Sequence, residues 1–153
     1  MARKPYQARI GSISHGTMRT DDLLYAFVGE LDGDYRLPRA IRNLVREANA
    51  WLRRDDDKRD DEAGSELVND LQDALNELAP PYVYFGTIEG DGSDFGFWPA
   101  LDSIQDAIAD NELPRAGDVP KNYTGLAIDV NDHGNVTLFR YVRGKRSIVW
   151  DCV

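Results

Sequence analysis

The spacing of apolar residues changes at the Pro80-Pro81 pair, and this change constrains the fold more than any other feature of the chain. Before the pair, apolar residues recur every three or four positions, as they do along one face of a helix. After it, they gather in short runs rich in β-branched and aromatic residues, which favour strands. This order of elements predicts an α+β fold rather than a series of βαβ units.

Three helices are predicted before the proline pair and one after it. Thr20 is expected to cap a helix that ends near Leu31, and Ser65 to cap one that ends near Leu78. Between them a helix over about 37–54 has Pro38 in its first turn. The fourth covers about 100–111. The predicted apolar stripe of the second helix is Ile41, Leu44, Val45, Ala48 and Leu52.

Six strands are predicted, over about 7–13, 82–88, 95–98, 123–130, 135–142 and 146–152. Turn sequences join the second strand to the third as a hairpin and the last three as a C-terminal β-meander. We therefore expect a single α+β domain over 1–153, with a mainly antiparallel sheet of about five to six strands packed with about four helices. Residues 55–63 have one apolar side chain, Ala63, and predict an exposed acidic loop.

The charge of the chain is strongly segregated along the sequence. Its net charge is −9, yet residues 55–118 hold eighteen Asp and Glu against three Lys and Arg. Residues 1–54 hold ten Lys and Arg against six Asp and Glu, and residues 119–153 hold five against three. An acidic block of this density repels nucleic acid and anionic membranes, and it attracts basic proteins.

Two of the predicted helices carry carboxylates in rows. Helical spacing puts Glu66, Asp70, Asp73 and Glu77 on one face of the third helix, over roughly 16 Å. The fourth helix repeats the pattern with Asp102, Asp106 and Asp110. No Lys or Arg interrupts either row, so like charges meet at three- and four-residue spacing, which destabilises a helix.

These rows have two interpretations. They can form a surface that presents carboxylates as a duplex presents phosphates, and so occupy the basic cleft of a nucleic-acid-binding protein. They can equally be a solvated face that keeps an acidic protein soluble.

A third possibility is that nucleic acid binds the arginines of the second helix, but it conflicts with the net charge. Those arginines are Arg39, Arg42, Arg46 and Arg53.

A second candidate site is the segment from Ser14 to Thr20, which links a predicted strand to a helix N-terminus. Backbone N–H groups and polar side chains there can hold a phosphate or nucleotide-like ligand. The candidate ligand-binding residues are Ser14, His15, Gly16, Thr17 and Arg19. The spacing matches neither of the common glycine-rich phosphate motifs, and Asp21 and Asp22 oppose an anion, so a turn followed by a helix cap explains the same residues.

No reaction centre, cofactor site or metal site is predicted. The two histidines, His15 and His133, stand alone in sequence, and one cysteine cannot form a thiolate cluster. The acidic turn between the hairpin strands lacks the spacing of a calcium-binding loop. No serine lies in a nucleophile-elbow motif. We therefore expect a binding protein rather than an enzyme, although a simple enzyme acting at the Ser14–Thr20 segment stays an alternative.

The sequence also predicts a compartment. A single cysteine, Cys152, excludes an intramolecular disulfide and suits a reducing cytosol. No apolar run approaches the roughly 20 residues that span a bilayer, and the basic N-terminus lacks the apolar segment of a signal peptide. We expect a cytoplasmic protein with no membrane or direct nucleic-acid partner, and leave its oligomeric state open, a homo-oligomer included.

Several stretches resemble small bacteriophage and prophage proteins. They run from Ser14 to Leu24, from Tyr84 to Gly86, from Phe95 to Pro99 and from Asp132 to Leu138. The resemblance implies an accessory viral protein in the cytosol of a bacterial host, with no activity or site attached. In that setting a small acidic protein is similar to DNA-mimicking inhibitors of host defence, of the anti-restriction or anti-CRISPR kind. The implied partner is a basic host protein that binds nucleic acid.

Overall fold

The computed structural model describes residues 2–153, which contain four helices and eight strands. The helices are α1 (Thr20–Leu31), α2 (Arg39–Leu52), α3 (Asp61–Glu77) and α4 (Leu101–Ala109). The strands are β1 (Lys4–Pro5), β2 (Gly11–Ser14), β3 (Tyr35–Arg36), β4 (Val83–Ile88), β5 (Asp91–Pro99), β6 (Gly125–Val130), β7 (Val136–Val142) and β8 (Lys145–Cys152). The predicted α+β class and the C-terminal meander are confirmed.

The strands form three sheets rather than one. Two short strands pair in parallel as β1-β3, and the other two sheets have the orders β2-β5-β4 and β6-β7-β8. The pairs β2-β5, β6-β7 and β7-β8 are antiparallel, and the last two are those of the predicted meander. The chain divides into two compact units, one made of residues up to 79 with 84–98 and the other of 80–83 with 99–153. The single-domain interpretation stays a prediction.

In the first unit, α1 packs against the sheet that contains β4 and β5. All five residues of the stripe that its sequence shows are buried, namely Leu23, Leu24, Phe27, Val28 and Leu31. The ring of Phe27 meets Phe85 and Phe95 edge-on, with centroids 5.2 and 5.6 Å apart. Phe85 also contacts Phe97, 4.9 Å away. This aromatic cluster fixes α1 on the sheet, because such pairs add to the burial of their rings.

The helices α2 and α3 meet at Trp51, which the predicted stripe of α2 omits. Trp51 is buried, whereas Leu44, Val45 and Leu52 of that stripe are half-buried. Its Nε1–H donates to the carbonyl oxygen of Asp60, 2.9 Å away. The Arg59 guanidinium lies 4.9 Å from the centre of its ring. Trp51 is therefore held at one edge and covered on one face.

Two predicted helix starts are wrong. Helix α3 begins at Asp61 rather than after Ser65, because the Asp60 carboxylate accepts the Ala63 N–H at 2.9 Å and caps it. Residues 61–63 of the predicted loop are thus helical, and 56–58 form a single 3-10 turn. Thr20 is the first residue of α1, so Arg19 holds the cap position and its side chain forms no cap hydrogen bond.

The second unit is α4 together with the β6-β7-β8 meander. Strand register aligns Ile128 with Leu138 and Leu138 with Trp150, and all three are buried. The Trp150 Nε1–H donates to the carbonyl oxygen of Pro81 at 2.8 Å. Helix α4 buries Ile104 and Ala107. Within residues 2–153, no helix has the length and apolar character needed to cross a membrane.

Candidate functional site

The predicted carboxylate row of the third helix lies on the exposed flank of α3. Glu66, Asp70, Asp73 and Glu77 are all solvent-exposed. The helix is fixed by its opposite stripe, in which Gly64, Leu67, Leu71, Ala74 and Leu75 are buried. The row therefore follows from the sequence period: burying the leucines turns the acidic positions outward.

Three of these four carboxylates line an open groove between α2 and α3. Asp70, Asp73 and Glu77 form one wall, and Glu47 with Asn43 lies on α2. Buried Ile41 and Ala74 also line the groove, whose volume is about 430 Å³. Glu66 lies on the same helix outside the groove. The site is thus an acidic groove of four carboxylates from two helices, and we use that name for Glu47, Asp70, Asp73 and Glu77.

Sequence reasoning misses Glu47. It lies on a helix whose other exposed charges are arginines, and it belongs to none of the predicted acidic rows. Its four-residue spacing from Asn43 places both on one flank of α2, but the sequence does not show that this flank faces α3. Packing of the two helices decides it.

The acidic groove has no cation of its own. The ion pairs within the described residues are Arg3–Asp34, Arg19–Asp21, Lys58–Asp55 and Arg59–Asp56. None involves a groove carboxylate, and in the same part of the chain no hydrogen bond reaches one of these four side chains. The negative charge is therefore uncompensated and open to solvent, which attracts cationic partners.

The second predicted row belongs to the other compact unit. Asp102 and Asp106 lie on α4, and Asp110 is the residue that ends the helix. All three side chains are exposed, and none forms an ion pair among residues 2–153. This row forms a second acidic surface.

The Ser14–Thr20 segment uses its polar groups internally. The Thr17 hydroxyl donates to the Asp22 carboxylate at 2.6 Å, and Arg19 forms an ion pair with Asp21 at 3.0 Å. The hydrogen bond from Arg19 lowers the pKa of Asp21. Ser14 is buried at the end of β2, whereas His15 and Gly16 are exposed. The cation and hydroxyl expected for a ligand therefore serve the start of α1.

Strand pairing places the start of this segment beside the N-terminal half of β5. Ser14 is opposite Phe95, and the Ser12 hydroxyl donates to the Asp94 carboxylate at 2.5 Å. Hydrogen bonds from the backbone and hydroxyl of Ser93, and in smaller part the charge of His15, lower the pKa of Asp91. The sequence does not predict this proximity, because it depends on the pairing of β2 with β5. Within the described residues, no three His, Cys, Asp or Glu side chains form a group able to hold a metal ion.

Comparison with known proteins adds no assignment: no family model, no curated protein and no solved structure matches this chain.

Proposed function

We propose that this chain is a non-enzymatic binding protein whose acidic groove and α3 row occupy the basic cleft of a nucleic-acid-binding protein. In the setting that the phage resemblance implies, the partner is a host defence protein and the effect is inhibition. The contact residues are Glu66, Asp70, Asp73 and Glu77 with Glu47, and, as a separate surface, the α4 row of Asp102, Asp106 and Asp110.

One observation carries the proposal, namely that Glu47 of α2 joins the α3 carboxylates around one open groove with no internal cation. A solvated face needs no such convergence from two helices. Because the helices already fix the backbone that carries these carboxylates, ordering them when a partner binds costs little entropy. Half-buried Leu44, which also lines the groove, offers contact to the stem of an incoming Lys or Arg side chain.

The spacing fits a nucleic-acid mimic. Successive carboxylates on α3 are three or four residues apart, or about 4.5–6 Å along the axis. A duplex carries one phosphate about every 3.4 Å along each strand, so a basic groove that binds phosphates presents cations at comparable intervals. Binding of this kind is steered by charge and weakens steeply with salt.

The test is capture of proteins from a bacterial lysate, followed by displacement with double-stranded DNA. We expect the wild-type chain to retain a basic protein that duplex DNA displaces and that is lost at about 1 M salt, where the screening length is about 3 Å. The variant D70K/D73K/E77K should lose that protein. The matched control D129K/D132K/D151K makes the same charge change at exposed positions of the meander and should retain it.

Two outcomes contradict the proposal. The α3 variant and the meander control can bind the captured protein equally, in which case only net charge matters. Alternatively, DNA can fail to displace it, in which case the contacted surface is not a nucleic-acid cleft. Purified partner and chain, mixed in a nuclease or DNA-binding assay, then measure inhibition directly.

A further inference from the structure

The α2 helix carries an arginine row of its own, made of Arg39, Arg42 and Arg46. The three side chains are exposed, and within residues 2–153 none forms an ion pair. Helical spacing places them on the strip of α2 next to Asn43 and Glu47, which line the acidic groove. A basic row and an acidic groove therefore lie side by side on one compact unit.

The two rows have the same spacing. Arg39, Arg42 and Arg46 are three and then four residues apart, as are Asp70, Asp73 and Glu77. Each row is about 10 Å long at the helical rise. Each also contains one like-charge pair at three-residue and one at four-residue spacing, and both pairs are unfavourable in the isolated chain.

We propose that two copies of this chain associate through this face, with the arginine row of each copy against the Asp70-Asp73-Glu77 wall of the other. A two-fold axis makes both contacts at once, since each copy contributes one basic and one acidic row. This arrangement relieves the repulsion within both rows. The contact uses the acidic groove of the proposed function but does not depend on that function.

Charge complementarity favours a second copy over nucleic acid as the occupant. A phosphate backbone laid on Arg39, Arg42 and Arg46 meets Glu47 on the same helix and the carboxylates of the adjacent α3. A second copy instead supplies carboxylates for the arginines and arginines for the carboxylates. Guanidinium groups suit this role, because they bind carboxylates through two parallel hydrogen bonds.

The dimer is expected to be weak and to close the groove. Exposed ion pairs contribute little individually and are screened by salt, so association should depend on protein concentration and ionic strength. A groove filled by arginines of a second copy is not open to a basic partner. The partner and the second copy therefore compete, and the monomer is the form that binds the partner.

Sedimentation velocity over a range of protein concentrations tests the dimer. We expect dimers at roughly millimolar protein in about 0.1 M salt, and a dissociation constant at least tenfold higher in about 1 M salt. The variants R39E/R42E/R46E and D70K/D73K/E77K should each be monomeric, because both rows then carry one sign of charge. Their equimolar mixture should form a heterodimer, since one contributes two acidic rows and the other two basic rows.

Matched controls separate this contact from attraction by net charge. The variants R140E/R143E/K145E and D129K/D132K/D151K change the charge by the same amounts on the meander. Each should dimerise as the wild type does. Neither should form the heterodimer when it takes the place of R39E/R42E/R46E or of D70K/D73K/E77K in the equimolar mixture. A monomeric wild type at low salt, or a heterodimer that forms equally well with the meander variants, overturns the proposal.

The partner assay keeps the two proposals distinguishable. R39E/R42E/R46E should lose the dimer yet bind the basic partner as well as the wild type, or better. If the wild type dimerises, this variant is monomeric and no basic partner is captured, the dimer stands and the proposed function fails. If the wild type is monomeric and binds a basic partner that D70K/D73K/E77K loses, the proposed function stands and the dimer fails.

Discussion

Gly64 of α3 lies against Trp51 of α2 and close to Thr20 of α1, so replacing it with alanine tests how tightly these three helices pack. A Cβ at Gly64 would lie 2.6 Å from Trp51 Cζ2 and 2.9 Å from Thr20 Cγ2. Trp51 cannot swing away freely, because its Nε1–H donates a hydrogen bond to the carbonyl oxygen of Asp60 and because the Arg59 guanidinium covers its ring. The added methyl group therefore overpacks the junction.

Two effects of opposite sign decide the size of the change. Alanine favours a helix over glycine by about 0.5–1 kcal/mol, while overpacking costs about 1–3 kcal/mol. The clash is with the rigid ring of Trp51 rather than with a flexible chain end, so we expect Gly64→Ala to be destabilising by about 1 kcal/mol. In urea unfolding followed by circular dichroism, the midpoint should fall by about 0.5 M.

Gly29 supplies the matched control. It lies in α1, is exposed, and a Cβ added there would meet no atom within 4 Å. Gly29→Ala therefore gains the helix preference without a clash and should be stabilising by about 0.5–1 kcal/mol. If Gly64→Ala is stabilising to the same degree, the junction is looser than its distances indicate and the argument is refuted.

Three further changes give separate checks. Asp60→Ala removes the cap of α3 and should cost about 1 kcal/mol in urea unfolding, whereas Asp60→Asn should cost much less. The pKa of Tyr6 is raised above its usual value of about 10, first by burial and then by its hydrogen bond to Glu30. Because the pKa is raised only in the folded state, the protonated Tyr6 hydroxyl stabilises the fold fully below about pH 10, and this contribution to the free energy of unfolding is lost as the pH rises further. Tyr6→Phe should remove this part of the loss of stability at alkaline pH. Asp73→Asn removes two like-charge pairs on α3 and should raise the free energy of unfolding by about 0.4–1 kcal/mol, a gain that should vanish in about 1 M salt.

The apolar period predicts most of the helices and strands, and its failures have local causes. It puts the start of α3 near Ser65 because the preceding residues, from Asp55 to Glu62, are all charged. The first turn of α3 needs no apolar residue there, since Asp60 caps it and Gly64 fits under Trp51. Trp51 itself falls outside the predicted stripe because its burial depends on α3, which the sequence of α2 does not show.

Part of the candidate site can likewise be predicted from the sequence, and part of it cannot. Spacing alone predicts that Asp70, Asp73 and Glu77 share an exposed face, since a helix fixes the relation of residues three and four apart. Spacing cannot predict that Glu47 joins them, because which flank of α2 faces α3 is a matter of tertiary packing. The contact between Ser12 of β2 and Asp94 of β5 cannot be predicted from the sequence for the same reason, because strand pairing joins residues far apart in the chain.

The segregation of charge between α2 and α3 is itself an argument for binding. Solubility depends on net charge, which stays the same if an arginine of α2 and a carboxylate of α3 exchange places. Such an exchange would put opposite charges at three- and four-residue spacing on both helices and stabilise each by about 0.2–0.5 kcal/mol per pair. The chain instead keeps Arg39, Arg42 and Arg46 together and opposite in sign to the neighbouring Asp70, Asp73 and Glu77. Because solubility gains nothing from this arrangement and stability loses by it, its physical effect lies in the field that each row presents to another molecule.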